Sequence, residues 1–98
     1  MAVKYAKEAA SVTHDGNGVY GGMFVAACIS FAFVETDILA IIEKGLSFLP
    51  SQCEYVRAVR VVMDFWEKEK NDWRACVAYI HANFGYDKYP GVCHIIPN

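Results

Sequence analysis

Gly16-Asn17-Gly18-Val19-Tyr20-Gly21-Gly22-Met23-Phe24-Val25-Ala26-Ala27-Cys28-Ile29-Ser30-Phe31-Ala32-Phe33-Val34 runs for 19 residues without a charge. Its reading decides the fold. A helix needs about 20 predominantly apolar residues to cross a bilayer, so the length alone permits a membrane span. The content argues otherwise. Gly16, Asn17, Gly18, Gly21, Gly22 and Ser30 break the apolar run, and its flanks are Asp15 and Glu35 where a span carries Lys or Arg anchors. The stretch therefore reads as a core helix, and one that is apolar all round needs neighbours on more than one face. Gly18, Gly22, Ala26 and Ser30 recur every four positions, a ridge of small residues where another backbone can approach closely.

The sequence on either side supplies those neighbours. Ala2, Tyr5, Ala6, Ala9 and Val12 share a helical face opposite Lys4, Lys7, Glu8 and Ser11, which predicts an amphipathic helix from Ala2 to Val12. Thr13 to Gly18 interrupts it, and the core helix begins at Asn17 or Gly18. Beyond it, Thr36 is an N-cap candidate for a third helix over Asp37 to Phe48, and Pro50 prevents its continuation. Ser51-Gln52-Cys53-Glu54 has the pattern of a capping box, opening a fourth helix to about Lys70 with the stripe Tyr55, Val59, Val62 and Trp66. Asn71 or Asp72 caps a fifth, with Trp73, Cys76, Val77, Ile80 and Phe84 inward and Gly85 as its stop. A short terminal strand near Val92 to Ile96 is the most extended structure the pattern allows. The expected fold is all-α, a compact bundle of about five helices around the uncharged one, in a single domain over residues 1–98.

Composition narrows the function classes. Nine basic and eleven acidic residues are spread along the chain for a formal net charge of -2, so no basic stripe exists to track a phosphate backbone, and nucleic acid is not an expected partner. Neither is a membrane. Cys28, Cys53, Cys76 and Cys93 contain no C-x-x-C pair and read as reduced residues of a cytoplasmic protein. His14, His81 and His94 are scattered, without an H-E-x-x-H or E-x-x-H pair to present two ligands on one face. Cys93 and His94 are neighbours in sequence, where side chains diverge, and so form no nucleophile and base pair. The carboxylates of Glu54, Asp64, Glu67, Glu69 and Asp72 alternate with Arg57, Arg60, Lys68, Lys70 and Arg74, a solvated face. Asp15, Glu35 and Asp37 are read as capping and solubilising groups. Asp15-Gly16-Asn17-Gly18, leading into a helix, either presents backbone N–H groups to an anion or is a plain interhelical turn.

Two longer stretches carry a resemblance. Ser11-Val12-Thr13-His14-Asp15-Gly16-Asn17-Gly18-Val19-Tyr20-Gly21-Gly22-Met23-Phe24-Val25-Ala26-Ala27 resembles the middle of the ADP-ribosylglycohydrolase family, where a Thr/Ser-His pair followed by small residues opens a core helix. Tyr89-Pro90-Gly91-Val92-Cys93-His94-Ile95-Ile96-Pro97-Asn98 is similar to the Pro-Asn-ending segment before that family's last catalytic block. The resemblance extends over essentially the whole chain. It implies an all-α fold related to enzymes that remove ADP-ribose from proteins or small molecules with a pair of magnesium ions. The family's Thr/Ser-Asp-Asp type and Asp-x-Asp-Thr/Ser type metal clusters have no counterpart in this sequence, so the resemblance implies no metal ligand and no catalytic residue here.

What carries over is His14, on the ADP-ribose side in the family, together with Asp15, Gly16, Asn17 and Gly18 beside it. Equally, His14 could cap the second helix or bond a neighbouring backbone group. The expectation is an ADP-ribosylglycohydrolase-like fragment or truncated homologue, without hydrolase activity by itself, that takes an ADP-ribose-type ligand and no cofactor. Two other readings stand beside it: a self-associating interaction module, and a partial enzyme whose metal clusters come from another chain. Ala, Val, Ile, Leu, Met, Phe, Trp, Cys and Gly make up 55 of the 98 residues, above the ~45 to 50% typical of soluble domains, and a homodimer is expected to cover the excess. The Gly18, Gly22, Ala26, Ser30 ridge or the Cys93 to Asn98 tail is the expected contact.

Overall fold

The computed structural model describes residues 1–12, 15–85, 87–88 and 95–96. Among these residues five helices account for the secondary structure, in the order α1 (Ala2–Ala10), α2 (Gly16–Ala32), α3 (Ile38–Leu46), α4 (Glu54–Lys68) and α5 (Trp73–Phe84). Among the described residues there is no strand, and the fold is all-α. The Val92 to Ile96 strand reading falls mostly outside the described residues. The chain divides into two internally packed units, Met1–Cys53 and Glu54–Asn98.

In the first unit the uncharged α2 lies between two neighbours, packing against both α1 and α3. Val19, Met23 and Ala27, at i, i+4 and i+8, form its buried stripe, and Leu46 of α3 and Leu49 are the other buried aliphatic side chains of this unit among the described residues. The close approach foreseen at the small-residue ridge occurs at Gly22, where a Cβ would stand 3.3 Å from the Ala10 Cβ of α1. This contact corrects the expected face of α1. Tyr5 and Val12 are exposed, while Val3, Ala6 and Ala10 turn inward, because a surface built from glycine and alanine admits small side chains and leaves no room for a tyrosine. The α2–α3 contact closes at Gly45, where a Cβ would come within 2.6 Å of the Cys28 Sγ and 2.9 Å of the Phe24 ring.

Boundaries follow local hydrogen bonds. α2 starts at Gly16, slightly before the expected Asn17 or Gly18. The cap of α3 is Asp37, whose Oδ1 accepts from the Leu39 N–H at 3.1 Å, and Thr36 is displaced from that role. The reason is Glu35, whose Oε1 accepts from the backbone N–H groups of both Thr36 and Asp37 and holds the turn one residue longer. The capping box at Ser51 does not form as read, since α4 begins at Glu54 itself. Pro50 to Cys53 is a turn closed by the Cys53 N–H on the Pro50 carbonyl at 3.2 Å, and Glu54 pairs with Arg57 through its carboxylate at 2.6 Å.

In the second unit α4 and α5 pack together around Ala58, Phe84 and Ile96, with Tyr55, Val61 and Ile80 against them. Phe84 is fully buried, and the Arg57 guanidinium lies 4.7 Å from its ring centroid. Phe65 and Tyr79 add a tilted ring pair at 5.5 Å between the two helices. Asp72 caps α5, its Oδ1 accepting from the Ala75 N–H at 2.9 Å. The expected inward residues Val62, Trp66, Trp73 and Val77 are instead exposed. Trp66 and Trp73 each stand beside a cation, Lys70 at 5.5 Å and Arg74 at 4.5 Å, which suits a large amphipathic ring left at the surface.

Candidate functional site

The site named by the sequence is the entry to α2. Thr13 and His14 lie outside the described residues, and the geometry begins at Asp15. Asp15 is the N-cap residue, extended at φ -139° and ψ 175°, and its carbonyl accepts from the Gly18 N–H at 3.0 Å. Its side chain makes no capping hydrogen bond. Asp15 is exposed, and the N–H groups of the first turn are not consumed by its carboxylate. Gly16 follows with φ +49°, the left-handed region where a side chain is strained, and among the described residues nothing stands within 4 Å of where its Cβ would be. Asn17 and Gly18 are half-buried as the helix takes its first turn. Asp15, Gly16, Asn17 and Gly18 thus form the entry of α2, with the positive end of the helix dipole behind it.

The remaining titratable groups are placed differently. Glu35 and Asp37 are engaged by backbone N–H groups, as capping residues should be. Among the described residues no group of three or more His, Cys, Asp or Glu side chains converges as metal ligands do. Cys28 donates its S–H to the Ile41 carbonyl at 3.8 Å, and burial pushes its thiol above the ordinary value, as it does for Cys76. Both are held as thiols, which suits packing and disfavours nucleophilic use. Cys93 and His94 lie outside the described residues, and His81 is exposed in the last turn of α5.

Two shallow cavities went unnoticed in the sequence. One, of about 300 Å³, lies in the α4–α5 groove between Val61, Asp64, Phe65, Lys68, Glu69 and Tyr79. The other, of about 210 Å³, is lined by the start of α1 with Ala27, Ser30, Phe31, Lys44 and Phe48, the Lys44 Nζ lying 5.9 and 5.7 Å from the two phenylalanine ring centroids. Neither has a sequence signal, because each is made by residues from helices that meet only in the fold.

A family model described as ADP-ribosylglycohydrolase matches residues 1–96, nearly the whole chain. The chain belongs to the ADP-ribosylglycohydrolase family. No curated protein and no solved structure matches it. The family expected from the Ser11 to Ala27 and Tyr89 to Asn98 stretches is the one matched, and the all-α fold expected from the helical periods is the one observed. No described helix is long and apolar enough to cross a membrane, and α2 stops after 17 residues.

Proposed function

We propose that this ADP-ribosylglycohydrolase-family chain binds an ADP-ribose-type ligand at the entry to α2 and does not hydrolyse its glycosidic bond unaided. The observation that carries the reading is the open first turn. A helix N-terminus whose cap side chain makes no bond to it, with a glycine in the left-handed region, can bring backbone N–H groups up to a diphosphate. The exposed Asp15 carboxylate suits the ribose hydroxyls as an acceptor, and His14 takes the ligand-side place that the family resemblance assigns it. The same resemblance supports the absence of unaided turnover: the family's two acidic metal clusters have no counterpart in this sequence, and without metal a water stays a poor nucleophile at neutral pH. Within this proposal the chain is a single cytoplasmic domain that carries no cofactor.

Titration of the labelled chain with ADP-ribose, followed by amide NMR shifts, tests the binding. Shifts should centre on Gly16 to Gly18, with weak affinity on the order of 1 mM, and should vanish in Gly16→Val. Shifts centred elsewhere, or none at several millimolar ligand, would refute the site. Release of ADP-ribose from a conjugate with magnesium present, abolished by His14→Ala, would refute the claim of no unaided turnover.

A further inference from the structure

We infer that α2 carries a face for a second copy of this chain, formed by Val25, Ile29 and Phe33 and continued by Val34 and Ile38 at the α2–α3 corner. These residues are 50%, 59%, 86%, 78% and 70% exposed. The first three follow one another at i, i+4 and i+8, a second stripe turned about 120° around the helix from the buried Val19, Met23 and Ala27. α1 and α3 cover two sides of α2, and this is the side they leave.

The choice of a second copy rests on area and charge. At roughly 60 to 120 Å² for each aliphatic side chain and more for the phenylalanine, the five residues offer on the order of 500 Å² of apolar surface. That is near the upper end for a patch on a monomer, and with its surrounding rim it approaches the ~800 Å² per partner of a standard interface. Val25, Ile29 and Phe33 lie within the 19 residues that carry no charge, and the acidic Glu35 and Asp37 between Val34 and Ile38 fall at the rim, so two copies of a chain with net charge -2 can set the centre of the face against itself without opposing like charges. Charge depletion at the centre is what an interface core requires. A two-fold axis near Ile29 would run the two α2 helices antiparallel, with the exposed Ala32 beside Ile29 offering space between the larger side chains. The face differs from the small-residue ridge foreseen in the sequence, because α1 already occupies Gly22. It is also independent of the ligand reading.

Sedimentation equilibrium of the full chain from roughly 1 μM to 1 mM tests the inference, a range that brackets contacts of this size. The wild type should approach twice its 11.0 kDa mass. Ile29→Glu should weaken association by at least about 30-fold, as loss of a central contact does, while circular dichroism shows the same helix content. Val25→Lys serves as the second variant should Ile29→Glu lose its fold. Val62→Glu, on the exposed side of α4, should leave the dimer unchanged. A wild type that stays monomeric throughout, a dimer indifferent to both α2 variants, or equal weakening by Val62→Glu each overturns it.

Discussion

Replacing Phe84 by alanine should be among the most damaging single changes in the second unit, and replacing Trp73, eleven residues earlier on the same helix, should not. Phe84 is fully buried against Ala58, Ile96, Tyr55, Val61 and Ile80, whereas Trp73 is 61% exposed. A buried Phe→Ala change costs ~3 to 5 kcal/mol, combining the lost transfer energy of the ring with the cavity it leaves. The Arg57 contact adds little, at most ~1 kcal/mol, since that side chain is itself largely in solvent. Against a total stability of about 5 to 15 kcal/mol for a chain of this size, the loss is a large fraction. It corresponds to a fall in Tm of at least about 12 °C. Trp73→Ala gives up only its contact with Arg74 and part of a surface ring, under ~1 kcal/mol. Both tryptophans lie in this unit, so fluorescence-detected urea unfolding reports on it directly, Trp66 serving in the Trp73→Ala variant. The packing argument fails if Trp73→Ala costs as much as Phe84→Ala, or if Phe84→Ala costs under ~1 kcal/mol.

Other outcomes follow from single contacts. Asp37→Ala and Asp72→Ala should each destabilise by ~1 kcal/mol through loss of a cap, and Thr36→Ala should be close to neutral, all read from urea midpoints. Gly16→Ala should cost ~1 to 2 kcal/mol although no described residue touches the added methyl, because the penalty is in the backbone. Gly45→Val should cost ~1 to 3 kcal/mol by overpacking against Cys28 and Phe24, again as a lower urea midpoint. Burial raises the Cys28 thiol, so the folded state holds its proton longer than the unfolded one. Its contribution is present below the ordinary thiol pKa and is lost as pH rises toward the raised folded value, and Cys28→Ala should flatten the alkaline decline of the urea midpoint.

The number and order of helices were legible because local signals agree: glycine and proline punctuation, carboxylates near helix starts and a 3.6-residue period. Which face turns inward was less so. Trp66 and Trp73 are the largest apolar side chains on α4 and α5, and a reading by hydrophobicity sends them to the core, yet the smaller Ala58 and Val56 are buried in α4. The partner's shape decides this, and a single helix does not display it. On α1 the outcome was similar, with Ala10 preferred to Tyr5 because Gly22 faces it. The candidate site was legible as a loop, from its glycines and the family resemblance. The idle side chain of Asp15 and the left-handed φ of Gly16 are conformational facts that residue identity does not contain.

The substantial helix contacts, α1 with α2, α2 with α3 and α4 with α5, all join neighbours along the chain. Closing such contacts requires only short loops, so little chain entropy is lost before native packing begins to compensate. Folding in the microsecond-to-millisecond range follows, as for other proteins dominated by local contacts. On the ribosome the α1–α2 and α2–α3 contacts have both of their sides as soon as Cys53 has emerged, and this unit can close while α4 and α5 are still being made.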